Sequence, residues 1–186
     1  VANGRVLREG PFENIWIQPA AGDAGAAIGV ALAICHTTGG VERRSHTKSD
    51  DRMSGSYLGP SFEETEIHSS LSSLGATYQS YTEDNLFCKI SEALASESIV
   101  GWFQGRMEFG PRALGNRSII GDPRSTKMQS MLNLKIKYRE GFRPFAPAVL
   151  CEDASDYFEI DVESPYMLLV APVLSSRLKQ PSKKDR

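Results

Sequence analysis

Apolar and polar positions along the chain shift between strand-like and helix-like periods, and each shift marks an element. "NIWIQ" (14–18) is a short apolar-rich run and predicts a strand. The Gly/Ala-rich turn "PAAGDAGAA" follows. A helix is then expected to open close to Asp23 and to run to about His36, where Gly39 and Gly40 stop it. Residues 41–60 are polar and turn-rich with no clear period, which reads as a linker. Ser61 and Glu64 have capping-box spacing and predict a helix start. Another helix is expected from about Glu83 to Ala95. "SIVGWFQG" (98–105) predicts a buried strand ended by glycine, 124–137 a helix, and 146–150 and 166–174 two further buried strands. The closing "SSRLKQPSKKDR" is charged and reads as a frayed tail.

Strand, helix, linker, helix, helix, strand, helix, strand, strand is the order of an α/β (α+β) fold. The break in character over 41–60 sets a domain boundary, drawn here as 1–55 and 56–186. The first segment holds too few elements to bury a core. It reads as the final strand and helix of a larger domain.

Composition changes this picture little. The 186 residues are 40% hydrophobic, ordinary for a globular chain, and carry a net charge of −2. That balance argues against nucleic acid or an anionic membrane as a general partner. No apolar run reaches the ~18 residues a membrane helix needs. The opening "VANGR" has neither a basic nor an apolar leader region and no initiator Met, so a processed terminus or a piece of a longer chain is expected. Cys35, Cys88 and Cys151 are far apart and odd in number. They fit neither a disulfide framework nor a Cys-rich zinc site, and they point to a reducing, cytoplasmic setting.

Local charge changes the picture more. Between Gly101 and Leu150 stand nine Arg and Lys against three acids, Glu108, Asp122 and Glu140, so the span is +6 and the rest of the chain −8. "GRMEFGPRALGNRS" (105–118) sets three arginines among three glycines. Glycine lets an anion approach the backbone, and Pro111 would start a short helix at "PRALG" whose free N–H groups face an anion. Arginine recognises planar phosphate or carboxylate through two parallel hydrogen bonds. "IKYREGFRPFAP" adds Lys137, Arg139 and Arg143, separated from the first stretch by one helix. A solvated cationic face is the plainer alternative, and a nucleic-acid track using the interleaved Trp102, Phe103, Phe109, Phe142 and Phe145 is another.

The stretches "GWFQGRMEFGPRALGNRSIIGDPR" and "IKYREGFRPFAPAVL", with "PAAGDAGAAIGVAL" and "SYLGPSF" upstream, resemble the carbamoyltransferase family of nodulation-factor and antibiotic biosynthesis (the NodU/CmcH type) over roughly residues 1–172. The resemblance implies two domains. One is an actin-like ATPase-type domain that carries a metal ion and transfers the carbamoyl group to a hydroxyl. The other is a YrdC-like domain, with mixed sheet and helices, that forms carbamoyl adenylate from carbamoyl phosphate and ATP. Carried over by position, Arg112, Lys137 and Arg143 become the candidate catalytic and nucleotide-binding residues, with Arg117 a weaker candidate. Asp23 becomes a metal ligand for Fe²⁺ or another divalent ion, and Gly22 and Gly25 line nucleotide phosphates.

Two anions meet in that reaction, so several fixed cations and Mg²⁺ are expected and a nucleophilic side chain is not. The expected partners are ATP, carbamoyl phosphate and a small hydroxylated acceptor, with a homodimer as the open assembly and neither membrane nor nucleic acid among them. His36, His46 and His68 lack the H-x-x-x-H spacing of the family's other metal ligands. Later adenylate-binding stretches of the family do not appear, so the segment alone is expected not to complete carbamoylation. An RNA-binding YrdC-like module and a threonylcarbamoyl adenylate-forming relative remain the alternatives.

Overall fold

The computed structural model describes residues 2–43 and 51–179. The middle of the expected linker, with His46, and the end of the expected tail lie outside them. The chain divides into two units, one of residues 1–19 with 146–186 and one of residues 20–145. Helices dominate, beside one small antiparallel sheet, a mixed α and β composition.

In the first unit α1 (Ala2–Glu9) lies against the chain around Val170. Its side chains claim main-chain acceptors there: Asn3 Nδ2 donates to Leu168 O at 2.9 Å and Arg8 Nη1 to Val170 O at 2.9 Å. Gly4 is buried, and a Cβ there would stand 2.5 Å from the Val170 carbonyl oxygen, so a larger residue would push the two apart. A short 3₁₀ turn, Cys151–Asp153, runs into α6 (Ala154–Tyr157). The strands expected over 14–18, 146–150 and 166–174 do not form. Trp16 is 78% exposed, and among the described residues of this unit a single bridge, Phe158 to Val173, is the nearest thing to a ladder. Pro147 and Pro172 remove ladder donors, and the carbonyls of Leu168 and Val170 are taken by α1.

The second unit holds the helices the pattern foretold. α2 (Asp23–Ala33) continues as a π turn, Ile34–Thr38, and ends where the Gly39 N–H reaches Ile34 O. α3 is Glu64–Ser73, capped at Glu63 and not at Ser61; the Glu66 carboxylate accepts the Glu63 N–H at 2.9 Å. The start is delayed because Gly59 and Pro60 exchange main-chain bonds with Met107, which holds the chain extended there. α4 (Glu83–Ala95) has the expected bounds and packs on β1 (Val100–Phe103). β1 pairs with β2 (Arg117–Ile120), Val100 opposite Ile120 and Phe103 opposite Arg117. The expected buried strand is thus half of a hairpin, with Val100 and Trp102 half-buried and Phe103 52% exposed.

The helix expected over 124–137 is shorter: α5 (Met128–Met131) and a π turn, Leu132–Ile136. Residues 122–127 are a turn, pinned where Asp122 accepts the Arg124 N–H and Asp122 O accepts the Ser125 N–H. Met128 and Leu132, each 4% exposed, are the buried hydrophobic residues among those described, and Gly121 lies against both. Truncating Leu132 to Ala removes buried methyl groups and leaves a cavity, and is expected to lower unfolding stability by about 2–5 kcal/mol in the full-length protein. Urea titration followed by Trp fluorescence measures it.

Candidate functional site

The arginine-glycine motif is the loop of the β1–β2 hairpin. At its base the Gln104 N–H reaches Asn116 O at 3.0 Å, extending the ladder by one step. Inside it sits Glu108, whose side chain has no solvent exposure. Its Oε1 accepts the main-chain N–H groups of Leu114 (2.7 Å), Asn116 (2.8 Å) and Arg117 (3.2 Å), and its Oε2 accepts Arg117 Nε (2.8 Å). Arg117 Nη2 continues to the carbonyls of Glu108 (3.0 Å) and Gly110 (3.2 Å). The motif therefore folds around its own carboxylate. Burial pushes Glu108 up, but the Arg117 guanidinium and the N–H groups of Leu114 and Asn116 outweigh it and hold the carboxyl at about 2, below the usual 4.5.

The "PRALG" helix expected after Gly110 does not form. Its Leu114 N–H is drawn sideways onto Glu108 and its Gly115 N–H onto Ser118 Oγ at 3.2 Å, while Leu114 O is taken by the Tyr57 hydroxyl at 2.7 Å. Gly110, at φ +100, is irreplaceable twice over: its backbone is strained for any L side chain, and a Cβ would lie 2.5 Å from the Ala20 Cβ.

That contact sets the hairpin loop beside the turn that opens α2. Gly22 is extended at φ 179, and a Cβ there would meet nothing within 4 Å, so the approach to this backbone is open. The Gly25 N–H donates to Ala20 O at 3.0 Å and closes the turn. Asp23 is exposed in the first turn of α2, and no group of three His, Cys, Asp or Glu side chains suited to a metal gathers among the described residues. Asp23 alone does not make a metal site.

The second cationic stretch is organised by Asn133, which is fully buried. Its Nδ2 donates to Gly141 O (3.2 Å) and Arg143 O (2.9 Å), and its Oδ1 accepts Arg139 Nε (2.7 Å). Arg139 also lies over the Phe145 ring at 4.8 Å. Leu134, Tyr138, Arg139 and Glu140 line an open depression of about 570 Å³.

Each acid of the basic span has an arginine: Glu108 with Arg117, Asp122 with Arg124, Glu140 with Arg143. Arg124 hydrogen bonds hold the Asp122 carboxyl below its usual range. The Glu140 carboxyl is held low by its own N–H first and then by the charge of Arg143. Of the sequence-predicted cations, Arg112 and Lys137 are exposed and free of side-chain partners among the described residues. Arg143 is exposed on Glu140, and Arg117 is committed to Glu108. Glu108 and Asn133 escaped the sequence reading. A lone acid inside an arginine-glycine loop was the available signal for the first; a polar residue inside "MLNLKI" was the only one for the second.

A profile described as the carbamoyltransferase C-terminus matches residues 91–183, and one described as the carbamoyltransferase N-terminus matches residues 1–32. The chain is 62% identical over 175 residues, 93% of its length, to an uncharacterized protein of Synechocystis, covering 28% of that protein. It is 41% identical over 94% of its length to the nodulation protein NolNO of Sinorhizobium fredii, covering 25% of it. It is 34% identical over 89% of its length to a 3'-hydroxymethylcephem-O-carbamoyltransferase of Streptomyces clavuligerus, covering 29% of it. The chain thus spans between a quarter and a third of the length of these relatives. Among the described residues no helix is long and apolar enough to cross a membrane.

Glu108 gives a pH prediction. Its folded pKa is depressed, so its contribution is complete above the unfolded pKa near 4.5 and is lost as pH falls toward 2. That contribution is of the order of 3 kcal/mol. Amide hydrogen exchange at Leu114 and Asn116 in the full-length protein should quicken as pH drops through this window, beyond the intrinsic change in exchange rate. Glu108→Gln should already show the faster exchange at neutral pH and lose the acid-dependent step.

Proposed function

The chain belongs to the carbamoyltransferase family, and from that premise we propose that it supplies the anion-holding part of an O-carbamoyltransferase acting on a small hydroxylated acceptor. Water first takes the phosphoryl group from carbamoyl phosphate, leaving carbamate and phosphate. A carbamate oxygen then attacks the α-phosphorus of ATP, a P–O bond breaks and pyrophosphate leaves, giving carbamoyl adenylate. An acceptor hydroxyl attacks the carbamoyl carbon, AMP leaves, and the hydroxyl proton goes to solvent. The family relative named for a hydroxymethyl cephem supports an alcohol as acceptor.

The carrying observation is Arg112, an unpaired guanidinium on a loop held by a buried carboxylate, in a chain whose acids of that span are all matched to other arginines. Lys137 is the second unpaired cation of the proposed site, and Arg143 the third once it leaves Glu140. Their role is to hold phosphate oxygens, offset the repulsion between two anionic substrates and stabilise the departing pyrophosphate. Mg²⁺ would share that last task. Gly22 and Gly25 are proposed to admit nucleotide phosphate to the turn before α2. Asp23 is proposed as one ligand of a divalent metal, Fe²⁺ or another; the described residues do not complete that ligand set, and no step above passes through the ion.

Residues 1–55 are proposed to close an actin-like transferase domain and 56–186 to open a YrdC-like one, supported by the order of the two family matches. A cytoplasmic setting belongs to the same reading.

In the full-length protein, ATP- and carbamoyl phosphate-dependent release of pyrophosphate tests the proposal. Arg112→Ala and Lys137→Ala are each expected to reduce it about a hundredfold or more with an unshifted thermal midpoint, the size seen when one charge-stabilising donor is removed. Full release in both variants, or none in the wild type, overturns it. Salt-sensitive binding of phosphate polymers without pyrophosphate release would favour a nucleic-acid module instead.

A further inference from the structure

We infer that Asn133 is a positioning residue for the cationic segment 137–143, a role that rests on the reading of Lys137 and Arg143 given above. The side chain sits on the π turn Leu132–Ile136 and has no exposure at all. Every polar atom of its amide is used across the gap to that segment. Nδ2 spends both hydrogens, on Gly141 O at 3.2 Å and Arg143 O at 2.9 Å. Oδ1 takes Arg139 Nε at 2.7 Å, and the Asn133 main-chain carbonyl takes the Arg139 N–H at 3.0 Å. One residue therefore fixes the segment at three places: its amide holds the main chain at 141 and 143 and the guanidinium at 139, and its main-chain carbonyl holds the N–H at 139.

The rest of the segment has little else to hold it. Tyr138 is 86% exposed at φ +48 and Phe142 is 79% exposed. A residue in that strained backbone region persists only where its surroundings fix it. Gln129 assists from the exposed side, its Nε2 reaching the same two carbonyls at 3.5 and 3.1 Å. Lys137 follows the π turn directly, and its N–H bonds Leu132 O at 2.9 Å. The two cations thus leave from either end of a short span that Asn133 ties back. Aspartate would not serve: it keeps the acceptor for Arg139 but turns an anion toward two carbonyl oxygens.

The test is steady-state pyrophosphate release by the full-length protein with carbamoyl phosphate and ATP. Asn133→Ala and Asn133→Asp are expected to raise the KM for carbamoyl phosphate about thirtyfold, with kcat within a factor of about three. In the double variant Asn133→Ala with Arg143→Ala, the losses in kcat/KM should fall well short of the product of the single losses, because the first acts through the second. Unchanged KM values, or losses that multiply fully, overturn the inference. If Asn133→Ala does not fold, Gln129→Ala, on the exposed side of the same carbonyls, is expected to raise KM about threefold; no change in it overturns the inference equally. A wild type that releases no pyrophosphate refutes the proposed function and this role with it, whereas an active wild type with normal Asn133 variants refutes this role alone.

Discussion

A carboxylate without solvent exposure must recover from the protein what it has lost in hydration. Glu108 recovers it from three main-chain N–H groups and one guanidinium within a single loop. Removing one partner of such a buried pair leaves an uncompensated charge, which costs about 3–5 kcal/mol. The loop's shape follows from that demand. Leu114, Asn116 and Arg117 can converge on one oxygen only if the chain turns sharply between them, and Gly115 at φ +116 supplies the turn. Gly110 at φ +100 then lets the same loop lie against Ala20. The glycines of the motif serve the carboxylate first, and an external anion only after it.

The other cationic stretch is fastened by a different chemistry. Asn133 is neutral, so its burial carries no ionic desolvation, and its contribution does not change with pH. What it protects is a pair of carbonyls and a guanidinium nitrogen; an unsatisfied buried acceptor costs about 1–3 kcal/mol. A charged anchor would be less suitable there. The segment 137–143 already contains the exposed Glu140, and a buried carboxylate beside it would draw Arg139 or Arg143 inward as Glu108 draws Arg117. Neutral anchoring holds the backbone and leaves the cations outward.

How much of this was legible in the sequence depended on how local the cause was. α2 and α4 follow from the residue pattern inside their own windows, with Gly39 and Gly40 stopping the first beyond its π turn, and their bounds came out close to expectation. The strands over 14–18, 146–150 and 166–174 were read from apolar runs, but a strand also needs a partner with free donors and acceptors. Pro147 and Pro172 stand inside two of those runs and remove donors, a signal the runs themselves carry, whereas the capture of the Leu168 and Val170 carbonyls by α1 leaves no trace in them. The Ser61 cap failed for a similar reason, since Met107, far along the chain, holds Gly59 and Pro60. At the candidate site, residue types pointed correctly to a cationic loop, yet counting charges treated Glu108 as a minor offset to the arginines. Its importance lies in where it is buried, and burial of one acid among many charges leaves no periodic trace.

Pairing gives the charge count a different meaning. The acids of the basic span are each matched to one arginine, so the surplus of six falls on Arg106, Arg112, Lys127, Lys135, Lys137 and Arg139. Pairing fixes which cations are spent on structure, and the strength of each pair sets how firmly. Arg117 faces a fully buried partner and cannot be drawn away without stranding a charge. Arg143 and Glu140 are both more than half exposed, and an exposed pair contributes about 0–1 kcal/mol. A phosphate dianion in the same place would outcompete a single carboxylate held so weakly. Arg143 is therefore structurally available where Arg117 is not, and the buried pair with Glu108 gives a physical reason for Arg117 to rank as the weaker candidate. The ranking of candidate anion-holding residues, Arg112 and Lys137 first, Arg143 next and Arg117 last, follows from whether each has a counterion and, where it does, from how exposed that counterion is.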